Sequence, residues 1–171
     1  MNRKKFIFQT FFWTFVLAII FSLIANSLSL KANSITSAII ILIVISIGII
    51  FDMIGAATLT SKEANFHAMN SKKVQGAKEA LILIKNSVKV SSICNDIVGD
   101  ICGIISGSLG AVLAIGLANS FNISLTFISM IIAALISSLT VGGKAIFKEV
   151  AVKNSDTILI MLGKIIHIFY K

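Results

Sequence analysis

Four apolar runs limit what this chain can fold into. They cover about residues 6–30, 37–57, 93–118 and 123–141, and a helix needs about 20 mainly apolar residues to cross the hydrocarbon core of a bilayer. Because 57% of the residues are hydrophobic and only 13% are charged, the chain carries more apolar surface than one soluble core can bury. The runs predict an all-α integral membrane protein, with four transmembrane helices in one domain over residues 1–171.

A cleaved signal peptide is the alternative interpretation of the first run, because the basic residues Arg3, Lys4 and Lys5 precede it. The apolar region of a signal peptide spans only about 7–15 residues. The run over residues 6–30 is longer, and Ala25-Asn26-Ser27 is a poor cleavage site. We therefore expect an uncleaved helix.

The segment over residues 60–90 has a different composition from the apolar runs. Thr60 and Glu63 have the spacing of a capping box, which marks the start of a helix. Apolar positions then recur at helical spacing between lysines: Val74, Ala77, Leu81 and Ile84. This pattern predicts a helical hairpin, which either lies on a membrane surface or forms soluble helices with a charged face.

Residues 144–171 turn basic and amphipathic again. Asn154-Ser155-Asp156 is typical of a helix start. In the final segment, Lys164, His167 and Lys171 form one stripe opposite isoleucine, leucine and methionine side chains. This segment is too short to cross a bilayer, so we expect a juxtamembrane helix that ends as a C-terminal amphipathic belt at the membrane interface.

The basic residues indicate the orientation. With four spans, the N-terminus, the hairpin and the C-terminal segment share one side of the membrane, and fourteen of the fifteen basic residues fall there, leaving Lys31 on the other side. Positive charge is retained in the cytoplasm, so both termini and the hairpin are expected there. The lysine, isoleucine and asparagine content resembles a low-GC bacterial gene, which makes the membrane the inner (cytoplasmic) one. The net charge of +8 then favours anionic lipid over nucleic acid as a partner, because no basic-aromatic module accompanies it.

Residues 91–112 have two contrasting faces when they are plotted as an α-helix. One face is small or acidic: Asp96, Gly99, Asp100, Gly103, Gly107, Gly110 and Ala111. The opposite face is apolar: Ile97, Val98, Ile101, Ile104, Ile105, Leu109 and Val112. In a bilayer, small residues let helices approach closely and acidic residues face the interior of a bundle. We therefore predict that Gly99, Gly103 and Gly107 are helix-packing positions, and that they support a homodimer.

Three acidic residues are expected at or near membrane depth. Asp52 lies in the second run, Asp96 and Asp100 lie near the start of the third, and Lys144 follows the fourth on the same side. Charges at this depth are costly and are by default functional. Asp52, Asp100 and Asp96 are therefore the candidate metal ligands, and Mg²⁺ is the ion that suits carboxylate oxygens. The alternative is that Asp96 and Asp100 lie at the headgroup level, as ordinary interface residues or as partners for lysines of the hairpin.

No arrangement in the sequence predicts an enzyme. We find no pairing of nucleophile and base, no phosphate-binding loop and no nucleotide fingerprint. His67 and His167 have no ligand-like neighbours in sequence and do not predict a zinc site.

The order of these segments resembles the transmembrane domain of the cyclin M and CorB/CorC family of magnesium and cobalt transport proteins. Residues 57–86, ATLTSKEANFHAMNSKKVQGAKEALILIKN, look like that family's A-L-T-S segment and its G-A-K-x-A-L hairpin. Residues 97–103, IVGDICG, look like its I-G-N region, and residues 141–154, VGGKAIFKEVAVKN, look like its G-E-x-x-P-K-x-x-A-x-x-N motif. The resemblance covers residues 37–171, and it implies a divalent-cation transport protein.

The sequence departs from the family where the family holds its ion. The family's Ser-Glu aligns with Gly55 and Ala56, its Asn with Asp100, its last-motif Glu with Lys144, and its Pro with Phe147. The paired cytoplasmic modules that commonly follow are absent from this sequence, and it has an additional N-terminal run. The resemblance therefore implies an altered site with a lysine as counter-charge at the ion position.

Two hypotheses follow. In the first, the chain transports a divalent cation through a site rebuilt from Asp52 and Asp100, with Asp96 nearby. In the second, it is a small non-transporting membrane protein that acts as a regulator or partner subunit, with an Asp100–Lys144 ion pair in place of the metal.

Overall fold

The computed structural model describes residues 3–29 and 33–169 and confirms an all-helical fold over them. The helices are α1 (Arg3–Ser29), α2 (Ser34–Thr60), α3 (Glu63–Ser71), α4 (Ala77–Lys85), α5 (Ser87–Ser91), α6 (Asp100–Phe121), α7 (Leu125–Lys153) and α8 (Ser155–Phe169). A π-helical turn, Ser92–Gly99, joins α5 to α6, so that Ser87–Phe121 is one continuous helical segment. Lys31 and Lys171, which enter the charge count above, lie outside the described residues.

Among the described residues, three helical segments are long and apolar enough to cross a membrane: Ser34–Thr60, Ser87–Phe121 and Leu125–Lys153. This is one fewer than the four that the sequence predicts. The first predicted span is helical as α1, within which Phe11–Ile24 is an apolar stretch among the described residues. The three segments are compatible with a membrane protein.

The fourth predicted span is longer than expected. We predicted an end near Val141 and a separate juxtamembrane helix over 144–171, whereas α7 continues through Gly142 and Gly143 to Lys153. Glycine disfavours a helix by only about 1 kcal/mol relative to alanine, and the chain contains no proline to stop it. The juxtamembrane segment is therefore the last part of α7 followed by α8, which begins at Ser155 as predicted.

The chain divides into two compact units. Unit 1 comprises Met1–Gly48 and Ile97–Gly143, and unit 2 comprises Ile49–Asp96 and Lys144–Lys171. In unit 1, α1 packs on α6, and α2 approaches α6 closely at Gly48, where an added Cβ would lie 3.0 Å from Cβ of Cys102. Each unit is therefore built from stretches that are distant in sequence.

Unit 2 has its own hydrophobic core between the end of α2, the pair α3–α4, the end of α7, and α8. The fully or nearly fully buried members are Ala56, Ala57, Phe66, Ala80, Leu81, Ile84, Ala151 and Leu159. Helices α3 and α4 pack against one another as a helical hairpin, and α4 packs on α8. Three of the four apolar positions that the spacing singled out, Ala77, Leu81 and Ile84, are buried, whereas Val74 is exposed in the turn.

The joint between α4 and α8 depends on two glycines. Gly76 has a φ of +84°, which glycine adopts without strain. A Cβ on Gly163 would collide with the carbonyl oxygen of Gly76. Two polar contacts also join the hairpin to α8. Nδ2 of Asn65 donates to Oδ2 of Asp156 at 2.6 Å, and Nδ1 of His167 lies 2.7 Å from Oε1 of Glu79.

The predicted capping box is wrong. Thr60 is still in the last turn of α2, where its hydroxyl donates to the carbonyl oxygen of Ala56 at 3.0 Å. Lys62 occupies the cap position of α3 and makes no side-chain capping bond. The Thr60 hydroxyl therefore donates to carbonyl groups at the end of α2, whereas the spacing predicts that it caps the start of α3.

Candidate functional site

The most distinctive polar contact in unit 2 joins Asp52 of α2 to Lys144 of α7. Nζ of Lys144 lies 3.8 Å from Oδ1 of Asp52, and the side chains are 26% and 14% exposed, respectively. Asp52 is surrounded in sequence by apolar residues of a candidate span, so its carboxylate carries a large desolvation cost without a positive partner. The ammonium group of Lys144 supplies that partner.

This distance describes an ion pair rather than a hydrogen bond. Donor–acceptor distances for charged groups are usually about 2.7–2.9 Å, and the 3.8 Å separation is about 1 Å longer. The two groups therefore offset one another's charge without a direct hydrogen bond. A pair of this kind satisfies both charges without a metal ion.

Asn95, in the π-helical turn, contacts α2 one turn after Asp52. Gly55, one turn after Asp52, leaves no room for a Cβ, because such an atom would collide with Oδ1 of Asn95. Nδ2 of Asn95 donates to Oγ of Ser91 at 3.3 Å, whereas its Oδ1 is buried and has no hydrogen-bond partner among the described residues. A buried amide oxygen without a donor is unusual in proteins, and here it faces the helix that carries Asp52.

The π-helical turn explains how Asn95 reaches α2. Over Ser92–Gly99 the backbone forms wider turns than an α-helix, which changes the angular position of every residue from there onward relative to an α-helical plot. The two faces that we predicted for residues 91–112 assume one uninterrupted α-helix and are therefore inaccurate in the first half of that stretch. Asp96, in the turn, and Asp100, at the start of α6, are both exposed.

The three predicted packing glycines have different surroundings. Gly99 is buried, and its carbonyl oxygen would lie 3.9 Å from a Cβ added to Gly48. Gly103 and Gly107 have no neighbouring atom within 4 Å of an added Cβ. Within the described part of the chain, Gly99 therefore lies at a helix contact, and Gly103 and Gly107 border open space.

That open space is a groove of about 540 Å³ between α6 and α7 in unit 1. Small residues spaced four apart line both of its sides: Gly103, Gly107 and Ala111 on α6, and Ser129, Ala133 and Ser137 on α7. Gly110 lies at its base, where Ile132 and Ile136 of α7 pack against it. The groove is the part of unit 1 where another helix has room to approach the backbone.

The structure brings Asp52 and Lys144 together but assembles no larger ligand set within the residues that it describes. No group of three or more His, Cys, Asp or Glu side chains is close enough there to hold a metal ion. The metal site formed by Asp52, Asp96 and Asp100 stays a prediction. The pair between Asp100 and Lys144 would join residues of different units, and it also stays a prediction.

Two features of the site were not predicted from the sequence. Asn95 was overlooked, although an amide in an apolar run is itself a signal of a buried polar contact. The pairing of Lys144 with Asp52 was not predicted either, although Asp52 is the one acidic residue of the second run. Both contacts join residues more than 35 positions apart, so their partners are determined by tertiary packing.

Comparison of the chain with protein-family models, with curated proteins and with solved structures gave no match.

Proposed function

We propose that the chain is a multi-pass membrane protein on an ion-transport type of scaffold in which Lys144 occupies the place of a cation. In this proposal it does not transport ions, and it acts as a regulator or partner subunit. The observation that carries the proposal is the half-buried pair of Lys144 with Asp52, 3.8 Å apart. The ammonium group neutralises the acidic residue that a divalent cation would otherwise bind.

The topology in this proposal has α1, α2, the segment Ser87–Phe121 and α7 as four spans of the cytoplasmic membrane. Both termini, the hairpin and α8 lie on the cytoplasmic side, where α8 forms the amphipathic belt. The support is the fourteen-to-one distribution of basic residues. The side chains of Met161, Ile165 and Ile168 on α8 are also exposed, as an interfacial helix requires.

Magnesium calorimetry on detergent-purified protein tests the ion site. We expect no heat of binding from the wild type. We expect binding by Lys144→Glu, because this change replaces the ammonium with a second carboxylate beside Asp52. The matched control is the double variant Lys144→Glu/Asp52→Asn, which removes one of the two carboxylates and should bind much more weakly. Binding by the wild type would contradict the proposal, and so would silence from Lys144→Glu in a protein that retains its helical circular dichroism.

The second candidate function is transport of a divalent cation through a rebuilt site. One observation favours it: the buried Oδ1 of Asn95 has no hydrogen-bond partner among the described residues and lies against the turn of α2 that follows Asp52. An amide oxygen and a carboxylate are both hard-cation ligands, and Mg²⁺ needs only one or two carboxylates. In this candidate Lys144 moves away from Asp52 when the cation enters, and Asp100 and Asp96 supply further oxygens.

Uptake of Mg²⁺ into liposomes that contain the purified protein separates the two candidates. The non-transporting proposal expects the same dye signal from protein-containing and empty liposomes. The transport candidate expects uptake by the wild type and its loss in the double variant Asp52→Asn/Asp100→Asn. Uptake that survives this double variant would contradict both candidates.

We also propose that the chain is a homodimer in which α6 and α7 of two copies meet along the groove. The support is the pair of small-residue ladders that line it, because small residues allow transmembrane helices to approach closely. Oxidative cross-linking of Ser137→Cys should give a dimer in membranes, whereas Thr157→Cys on the exposed side of α8 should not. Both variants should carry Cys94→Ala and Cys102→Ala. Only monomer from Ser137→Cys would contradict the dimer.

A further inference from the structure

Each of the three long helical segments passes from one compact unit to the other within its length. Helix α2 does so between Gly48 and Ile49, the segment Ser87–Phe121 between Asp96 and Ile97, and α7 between Gly143 and Lys144. No loop intervenes at any of these three places. Any movement of one unit against the other must therefore bend helices.

A weak point of the helical backbone lies at each crossing. Helix α2 has Gly48 there, the middle segment has the π-helical turn Ser92–Gly99, and α7 has Gly142 and Gly143 in succession. Glycine weakens a helix through backbone freedom. Sharp bends in helices occur at π-turns and at pairs of glycine or serine.

Close packing does not explain every glycine at these crossings. Gly48 permits a close contact, because an added Cβ would lie 3.0 Å from Cβ of Cys102. Gly142 has no neighbouring atom within 4 Å of an added Cβ, so an alanine would fit without displacing anything. The glycine at position 142 thus weakens the helix without permitting any contact among the described residues.

On the unit 2 side of the crossings, contacts join the three segments to one another. The Asp52–Lys144 pair joins α2 to α7, and the contact of Gly55 with Asn95 joins α2 to the π-helical turn. Asp52 lies four residues after Gly48, and Lys144 directly follows Gly143. On α2 and α7 the contact residues therefore follow the points where the helix can bend, and in the middle segment the contact residue, Asn95, lies within the π-helical turn itself.

We propose that Gly48, the turn Ser92–Gly99 and Gly142–Gly143 are hinges, and that unit 2 moves on them as one body. The Asp52–Lys144 pair and the Gly55–Asn95 contact keep the three helical segments together during this movement. The inference is independent of whether the chain binds an ion, because it depends on the backbone and on the division into units.

Distance measurement between two spin labels on α7 tests the hinge. Met130 and Lys153 are both exposed and lie on opposite sides of the glycine pair. On a straight helix with a rise of about 1.5 Å per residue they are about 35 Å apart. The labels are attached to Met130→Cys and Lys153→Cys in the full chain with Cys94→Ala and Cys102→Ala. This labelled chain is diluted with an excess of unlabelled chain, so that labels on two copies do not contribute, reconstituted in lipid nanodiscs and measured by pulsed electron–electron double resonance.

We expect a broad distance distribution that extends below the straight-helix value when the glycines are present. The double change Gly142→Ala/Gly143→Ala should narrow it to one peak near that value, because alanine favours the helix at both positions. Gly116→Ala is the control, because an added Cβ there has its nearest atom, Oγ of Ser34, at an ordinary 3.7 Å and the residue lies on α6, outside the labelled helix; it should leave the distribution broad. A single narrow peak with the glycines present, or a distribution that the alanine pair leaves unchanged, would overturn the proposal.

Discussion

Glycine and phenylalanine occur both in the region formed by α3, α4 and α8 and in the pair α6–α7, but with opposite surroundings. In the first region, Phe66 is fully buried, and Gly163 lies against the backbone of Gly76. In the second, Phe127 is 60% exposed, and Gly107 has no neighbouring atom within 4 Å of an added Cβ. The first region obtains its packing contacts within the chain. The second leaves apolar surface and a groove for lipid or another helix to cover.

The largest difference should appear at the two phenylalanines. Phe66→Ala should lower the free energy of unfolding by about 3–5 kcal/mol, because it leaves a cavity in a fully packed core. Phe127→Ala removes the same atoms from an exposed position and should change it by about 0.5 kcal/mol or less. Unfolding by titration with SDS in mixed micelles, followed by circular dichroism, measures both. Equal losses of unfolding free energy from the two variants would mean that Phe127 is packed against a partner. The two regions would then not differ in packing.

The sequence predicted the long helices well because about 20 consecutive apolar residues have few other solutions. It predicted the hairpin because Ala77, Leu81 and Ile84 recur at helical spacing and are buried on one face. It did not predict the π-helical turn, because no spacing of side chains in Ser92–Gly99 distinguishes such a turn from an α-helix. That turn changes the angular position of Asp96 and of the residues that follow it.

The roles of the glycines were the least predictable part of the fold. The ladder of Gly103 and Gly107 has the spacing of a helix contact, yet both border open space, whereas the isolated Gly76 and Gly163 lie at a close backbone contact between the hairpin and α8. A spacing identifies residues that permit close approach, but the partner depends on the tertiary arrangement. The same limit applies to Lys144, whose pairing with Asp52 brings together residues far apart in sequence.

A smaller effect should distinguish the two kinds of glycine. Gly163→Val should lower the free energy of unfolding by about 1–3 kcal/mol, because its side chain meets the carbonyl of Gly76 and forces α8 away from α4. Gly107→Val has open space among the described residues, and valine has a higher helix propensity than glycine, so this variant should cost little or nothing. The same SDS titration measures both variants. A loss at Gly107 as large as that at Gly163 would indicate that the groove is filled, which would favour the homodimer over lipid.

The smallest expected effect concerns the contact between α4 and α8. The hydrogen bond from His167 holds the pKa of Glu79 below its usual value of 4.5, with the backbone adding to this and burial opposing it. A carboxyl group with a lowered pKa stabilises the folded state above its unfolded pKa, and this contribution is lost as the pH falls through the folded pKa. The chain should therefore lose stability as the pH falls below about 4.5.

Glu79→Gln should remove that part of the pH dependence and cost less than about 1 kcal/mol at neutral pH, because His167 is 42% exposed and water screens the pair. Thermal unfolding measured between pH 3 and pH 7 tests this, with Glu149→Gln as the control. The Glu149–Lys153 pair lies within one helix, and both side chains are 69% exposed. If both variants change the pH dependence of stability equally, the contact between His167 and Glu79 does not hold α8 on the hairpin. The Gly76–Gly163 contact and the apolar core then hold α4 and α8 together.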